Sequence, residues 1–181
     1  MLFRSRWSLF FLVGVGRGTV LGPISALACE RLFQQLLDLA GTPGPVVTTT
    51  EAPHFRRIAL ERARLRSPGP DGRGHRAVGH APGIRDGNGI MFISQGGDVH
   101  PSGFLPLSAG NVRTDDPVAL YRDSELFRSL RRADGFGGRC GRCEYRDACG
   151  GSRARAWAAT GDPLAEDPLC AYEPAGVPLM S

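Results

Sequence analysis

The sequence RCGRCEYRDACGGSRARAWAATGDPLAEDPLCAY, residues 139–172, contains four of the five cysteines of this 181-residue chain. They are spaced C-x2-C-x5-C-x20-C, as Cys140, Cys143, Cys149 and Cys170. Four thiolates within reach of one point can hold a metal centre, and thiolate is the ligand that zinc and iron–sulfur clusters prefer. Two disulfides are the weaker alternative, because no clear export signal accompanies the cysteines.

Local signals predict the structure between these cysteines. Ser152 is placed to cap a short helix that runs to Thr160 and is ended by Gly161. The start of this helix would lie just beyond Cys149, where its positive dipole end favours thiolate. Asp167-Pro168 predicts a turn immediately before Cys170.

The overall composition predicts a modest core with much loop, since 41% of residues are hydrophobic and the chain has 14 Pro and 25 Gly. All 22 basic residues are Arg, which indicates the codon bias of a GC-rich genome. Because these Arg residues are scattered rather than clustered with aromatic side chains, the net charge of +4 does not predict a nucleic-acid partner.

An apolar run over residues 7–15 follows Arg4 and Arg6 and has a superficial likeness to a secretory signal. The run is far shorter than the roughly 20 apolar residues that span a bilayer. A continuous apolar run closed by glycine is typical of a buried parallel strand, which is the interpretation we favour. On that interpretation we expect a cytoplasmic protein without a membrane partner.

The next segment predicts a helix, a strand and a second helix. Ser25 can cap a helix to about Ala40, a β-branched strand follows at 46–50, and residues 54–66 form a basic helix. The first helix has an apolar face at helical spacing, comprising Cys29, Leu32, Phe33, Leu36 and Leu37. Cys29 therefore reads as a small buried hydrophobic residue rather than a metal ligand.

Residues 67–88 are rich in Gly, Pro, Arg and His without periodicity, which indicates a linker between two units, 1–66 and 89–181. In the second unit we predict a strand at 90–94, a turn at 95–98 and a return strand at 99–100. A single helix is predicted from Pro117 to Arg132.

The cysteine segment as a whole, from Arg139 through Tyr172, resembles the C-terminal SPASM/twitch extension of radical SAM enzymes. It is most similar to the branch that includes haem-maturing and peptide-maturing members. The stretches GDVHPSG at 97–103 and GNV at 110–112 fit the same extension. Upstream, TTEAPHFRR at 49–57 and VGRG at 15–18 resemble the last part of the catalytic barrel. The resemblance implies an α+β chain, in which a remnant of a partial (β/α) barrel precedes a small domain with a hairpin, a helix and a cysteine loop.

In that family the cysteines of the extension hold auxiliary [4Fe–4S] clusters. Carried over by position, the resemblance implies that Cys140, Cys143, Cys149 and Cys170 bind one such cluster. Full SPASM members have a second auxiliary cluster with a ligand near the hairpin, where this chain has Ser102 and no cysteine. One cluster is therefore the expected maximum, and the domain is better described as twitch-like.

Radical SAM chemistry needs a C-x3-C-x2-C loop that holds the cluster to which S-adenosylmethionine binds. Cys29 is the only cysteine before residue 140, so this chain has no such loop. We expect the chain to be a truncated, split or fragmentary part of a radical SAM enzyme that is not catalytic alone. Its partner would be a missing N-terminal domain or a separate radical SAM core chain, and S-adenosylmethionine would bind only in the full-length enzyme.

The implied function is to bind one auxiliary cluster for electron transfer or substrate anchoring in the modification of a peptide or tetrapyrrole. The competing hypothesis is a structural four-cysteine Zn²⁺ module that binds other proteins. Spacing alone leaves the two metals open, although the five-residue gap before Cys149 and the isolated Cys170 fit a cluster somewhat better.

Several basic residues near these motifs have two interpretations each. Five arginines around the cysteines either offset the charge of a cluster or form a solvated face, namely Arg139, Arg142, Arg146, Arg153 and Arg155. His54, Arg56 and Arg57 either contact an anionic substrate or lie on a solvated helix, which is the interpretation we favour. His100 is either an unusual ligand or, as we favour, a turn residue.

Overall fold

The computed structural model describes residues 6–40, 46–65 and 84–175. Strand β1 (Arg6–Phe10) and strand β2 (Val46–Thr50) pair in parallel, with Trp7 opposite Val47 and Phe10 opposite Thr50. A short 3-10 helix (Gly16–Val20) and helix α1 (Ala26–Ala40) lie between these strands, and helix α2 (His54–Leu65) follows them. This strand–helix–strand–helix order is compatible with the end of a (β/α) barrel, but the barrel itself stays a prediction.

The core of this first unit forms between α1, α2 and the strands. Phe33 on α1 is fully buried and makes edge contacts with the rings of Phe11, His54 and Phe55. Leu169, next to the last cysteine, belongs to the same core. Packing of Leu169 there holds the end of the cysteine segment against the helices.

Strand β1 is shorter and more exposed than the sequence predicts. The strand ends at Phe10, and the exposed fractions of Trp7 and Phe10 are 52% and 72%. Phe11 and Val13, which follow the strand, are buried instead. Within the described residues β1 pairs with β2 alone, so one edge of β1 carries no neighbouring strand.

A three-stranded antiparallel sheet forms the predicted hairpin region, in the order β3 (Phe92–Ile93), β4 (Asp98–His100) and β5 (Gly110–Asn111). The turn before β4 closes through a hydrogen bond from the Gly97 N–H to the Ser94 carbonyl. Gly97 has φ 93°, a conformation that glycine adopts without a steric penalty. The hairpin is therefore confirmed, with a first strand shorter than predicted.

The single helix predicted over 117–132 is wrong, because two helices occur there: α3 (Pro117–Asp123) and α4 (Glu125–Arg131). Ser124 separates them with an extended backbone at ψ 142°. Its N–H closes the last turn of α3, and its hydroxyl accepts a hydrogen bond from the N–H of Phe127 in α4. Ser124 thus ends one helix and caps the next.

The cysteine segment contains helix α5 (Gly138–Arg142) and helix α6 (Arg153–Thr160). Helix α6 agrees with the prediction at both ends, since Ser152 accepts the N–H of Arg155 and Gly161 has φ 79°. A second core packs α6 against the rest through Val13, Leu105, Leu130 and Ala154. No helix in the described ranges is both long and apolar enough to cross a membrane.

The predicted linker 67–88 lies outside the described residues up to 83. Its last residues are packed, since Arg85 and Asp86 are 6% and 3% exposed. Asp86 accepts the backbone N–H of Ala154 in α6, across 68 residues of sequence. The packed part of the second unit therefore includes residues that the composition assigns to the linker.

Candidate metal centre

All four clustered cysteines line one small pocket, together with Arg57, Arg139, Arg146, Gly150, Gly151, Asp167, Tyr172 and Pro174. Cys140 lies within α5 and Cys143 caps its C-terminal end. Cys149 precedes the loop that enters α6, and Cys170 follows a turn in which its N–H donates to the Asp167 carbonyl. The structure thus brings together the four cysteines that the sequence singles out.

Two of the four thiols, Cys140 and Cys143, accept a hydrogen bond from a backbone N–H. The N–H of Tyr145 donates to Cys143 Sγ at 3.4 Å, and the N–H of Asp167 donates to Cys140 Sγ at 3.4 Å. The backbone N–H groups of Gly151 and Tyr172 act in the same direction on Cys149 and Cys170, since each lowers the pKa of the neighbouring thiol. Backbone donors aimed at sulfur stabilise negative charge there, which is the arrangement that thiolate ligands of a metal centre require.

Burial of the thiols opposes the effect of these N–H groups, because it disfavours the charged thiolate. It raises the pKa of Cys149 to about 12 and that of Cys170 to about 11, and it also raises the pKa of Cys143. Neutral thiols are therefore favoured when no cation is present. A metal that binds here replaces protons, so its affinity increases with pH.

The four thiols line the same pocket, but they do not form a group of the kind that holds a single metal ion. In the ranges 6–40, 46–65 and 84–175, no three His, Cys, Asp or Glu side chains are grouped closely enough to hold a single metal ion. The four thiolates of a zinc ion lie about 2.3 Å from one centre, whereas those of a four-iron cluster are bound to four different metal atoms and lie farther apart. Four thiols around one pocket supply the number and kind of ligands that such a cluster takes.

A buried ion pair supports the pocket from behind. The carboxylate of Asp167 is fully buried and accepts from Arg155 at 3.0 Å and from the N–H of Ser152 at 2.8 Å. Burial alone would raise the pKa of Asp167, but Arg155, His54 and the backbone N–H groups of Ser152 and Leu169 hold it below its usual value. This pair ties the turn before Cys170 to the start of α6.

Two consecutive glycines make the close approach of these segments possible. Gly150 and Gly151 have φ 69° and 65°, in the left-handed region. A Cβ on Gly151 would lie 2.6 Å from the Arg153 guanidinium and 3.1 Å from Cys140 Sγ. A side chain at this position would therefore displace a group of the pocket wall.

The five arginines around the cysteines have different positions. Arg139 and Arg146 line the pocket, while Arg142 is exposed. Arg153 is fully buried over the ring of Phe136 and extends to Cys140 Sγ at 3.5 Å. The alternative of a uniformly solvated face is thus wrong, because burial and packing fix several of these charges near sulfur.

Cys29 lies outside the group of four, as predicted. It is fully buried beside His54, with 3.5 Å between its Sγ and Nε2 of the histidine, and burial raises its pKa to about 12. His54 is also fully buried, which lowers its pKa to about 4, and Arg57 forms ion pairs with Glu30 and Glu61. The favoured prediction of a solvated basic helix is therefore wrong for His54, which faces the core, and for Arg57, which is buried beside the cysteine pocket.

His100 and Ser102 do not line the cysteine pocket. His100 is the last residue of β4 rather than a turn residue, and its Nδ1 lies 3.1 Å from the carbonyl of Leu107. Ser102 lines a second cavity of about 420 Å³, together with residues at the carboxyl end of β2. Sequence reasoning missed this cavity, because its walls come from segments distant in sequence.

No family model matches the chain. It is 41% identical over 172 residues to the AdoMet-dependent heme synthase of Nitratidesulfovibrio vulgaris, covering 93% of this chain and 46% of that protein. It is 39% identical over 92 residues to the pre-heme d1 synthase of Dinoroseobacter shibae, covering 49% of this chain and 23% of that protein. It is 33% identical over 94 residues to the PqqA peptide cyclase of Bradyrhizobium diazoefficiens, covering 49% of this chain and 25% of that protein.

The chain spans about half the length of the heme synthases it matches. The similarity extends over both units of the chain, since 93% of its residues are covered. These relatives include both the haem-maturing and the peptide-maturing enzymes that the cysteine segment resembles. The chain belongs to the radical SAM/SPASM family.

Proposed function

We propose that this chain binds one auxiliary [4Fe–4S] cluster through Cys140, Cys143, Cys149 and Cys170. The observation that carries the proposal is that these four thiols line one pocket, in which Cys140 and Cys143 accept backbone N–H groups. The arginines of the pocket wall offset the negative charge that four thiolates bring. The competing function is a structural zinc site, which the iron, sulfide and zinc content of the purified chain distinguishes from a cluster.

The number of ligands favours electron transfer over substrate anchoring. Four cysteine ligands occupy one coordination position on each of the four irons, so no iron is left open for a substrate group. A bound cluster supplies one-electron redox chemistry. The residues of this chain would hold it, shield it and set its potential through N–H···S bonds and nearby charge.

We propose that the chain is part of a radical SAM enzyme that modifies a tetrapyrrole. The support is that the heme synthases match 93% of the chain, whereas the peptide cyclase matches 49%. S-adenosylmethionine would bind to a three-cysteine motif that this sequence does not contain, in a further domain or a partner chain. A reducing compartment such as the cytoplasm would keep the thiols available for the metal.

The proposal is tested with paired cysteine variants, prepared without oxygen and supplied with iron and sulfide. Cys143→Ser removes a proposed ligand and should abolish the brown chromophore that absorbs at about 400 nm. Cys29→Ser changes a buried thiol outside the pocket and should retain it. Loss of the chromophore in both variants, or in neither, would show that the ligand set is wrong.

A further inference from the structure

The second cavity lies at the carboxyl end of β2, the edge where parallel α/β units place their ligands. Its walls are partly apolar, from Phe55, Ile84, Ile90 and Phe104. The charged side chains of Glu51, Arg56, Arg85 and Asp86 also line it. At about 420 Å³ the cavity has the size of a site for a small organic group.

Arg56 is the cation that this cavity offers to a ligand. Its side chain is half-buried, and Nη1 is positioned by the carbonyl of Ala148 at 2.9 Å. Within the described part of the chain, no carboxylate lies within ion-pair distance of this guanidinium. Arg85 differs, because its two terminal nitrogens donate to the carbonyls of Asp147 and Arg131 and its guanidinium lies over the Phe136 ring.

Glu51, which also lines this cavity, has an unusual backbone conformation. It has φ 58°, the only positive value at a non-glycine residue in the described ranges. A non-glycine residue in this region costs about 1–2 kcal/mol, and such strain is concentrated at functional sites. Two hydrogen bonds hold Glu51 in this conformation. Arg155 donates to the backbone carbonyl of Glu51, and the Ser152 hydroxyl donates to the Glu51 carboxyl group.

Asp86 gives the cavity wall a second acidic group. One of its carboxylate oxygens accepts the N–H of Ala154, while the other is buried without a hydrogen-bond partner. Burial first, and then the charge of Asp86, raise the pKa of Glu51 to about 7. The charged groups that act on Glu51 are Asp86 and Asp167, which raise its pKa, and Arg155, which lowers it. Near pH 7, Glu51 is therefore protonated in about half of the molecules.

We propose that this cavity binds a carboxylate side chain of a tetrapyrrole, with Arg56 paired to the carboxylate and the carboxyl group of Glu51 lining the same cavity. The inference rests on the proposed function for its ligand class, because tetrapyrroles of the haem type carry carboxylate side chains on an apolar ring. The apolar wall would contact the ring edge. An ionised Glu51 would repel the bound carboxylate, so the affinity should fall as the pH rises through about 7.

The test measures binding of metal-free deuteroporphyrin IX, a fluorescent tetrapyrrole dicarboxylate, to the purified chain. Its dimethyl ester, which lacks the negative charges, should bind at least about tenfold more weakly. Arg56→Gln should weaken binding of the free acid by a similar factor. Arg62→Gln on the same helix removes a charge whose partner is Asp38, outside the cavity, and should leave the affinity unchanged.

The pH dependence of binding is measured with Glu51→Gln, because the glutamine side chain stays neutral at every pH. The natural chain should lose affinity between pH 6 and 8, and this variant should not. Equal binding of acid and ester, or unchanged affinity in Arg56→Gln, would overturn the proposal. The comparison of acid and ester uses the natural chain, so it tests the proposal even if Arg56→Gln fails to fold. Iron and sulfide are measured separately in each sample, so failure of this site is distinguishable from failure of cluster binding.

Discussion

The backbone N–H of Asp167 donates to Cys140 Sγ, 27 residues earlier in the sequence. The carboxylate of the same Asp167 is bound by Arg155 and by the N–H of Ser152. One residue therefore connects a cysteine of the pocket to the start of α6, and through Ser152 to Glu51 in the second cavity. A chain of hydrogen bonds through Asp167 and Ser152 therefore links the cysteine pocket to the second cavity.

Asp167→Asn should destabilise the chain by about 3–5 kcal/mol, because it leaves the guanidinium of Arg155 buried without its counter-charge. The measurement is the free energy of unfolding from urea titration. Glu125→Gln is the matched control, since it removes an exposed ion pair with Arg132 and should hardly change the stability. Equal stability of the two variants would show that the buried pair does not hold the fold together.

Three glycine-to-alanine variants separate backbone strain from steric overlap. Gly135→Ala should be nearly neutral, because Gly135 has no positive φ and a Cβ there would contact nothing. Gly161→Ala introduces backbone strain at φ 79° without steric overlap and should lower the free energy of unfolding by about 1–2 kcal/mol. Gly151→Ala adds overlap with Arg153, Asp167 and Cys140 and should cost more than either. Thermal unfolding of the three variants gives the order, and a Gly151→Ala chain as stable as Gly161→Ala would refute the close packing.

His54 should make the chain less stable as the pH falls from about 6.5 to about 4. The unfolded chain takes up a proton near 6.5, whereas the buried ring takes it up only near 4, so acid favours unfolding. His54→Gln should flatten this part of the pH dependence, measured as urea midpoints. Glu51→Gln serves as the opposite control, because the raised pKa of Glu51 stabilises the folded chain as the pH falls from about 7 to about 4.5. A His54→Gln chain with the original acid slope would contradict the neutral, buried ring.

Arg146→Gln should lower the reduction potential of the bound cluster by tens of millivolts in order of magnitude, because it removes a positive charge from the pocket wall. The reduced cluster carries one more negative charge and loses more from this change than the oxidised cluster. Arg142→Gln removes an exposed charge nearby and should have a much smaller effect. The measurement is a redox titration of both variants, and equal potentials would indicate that Arg146 does not act on the cluster.

Local signals predicted elements where one residue decides the outcome. Ser25 accepts the N–H of Ala28 at the start of α1, and Ser152 and Gly161 bound α6 as expected. The break at Ser124 was missed because the apolar spacing continues across it, although a serine before Glu125 is itself a capping signal.

The cysteine pocket was predictable because spacing limits which thiols can meet. The second cavity was not, because Glu51, Asp86 and Ser102 lie on separate segments that only the fold brings together. The burial of His54 was missed for a similar reason: its contacts with Cys29 and Phe33 come from another helix, and polar residue type alone predicted exposure.

The metal content of the chain purified without oxygen tests the central claim most directly. Iron, acid-labile sulfide and zinc are measured in the same sample. We expect about four irons and four sulfides per chain, with no stoichiometric zinc. A colourless chain with about one zinc and no sulfide would contradict the account and identify the four cysteines as a structural zinc site.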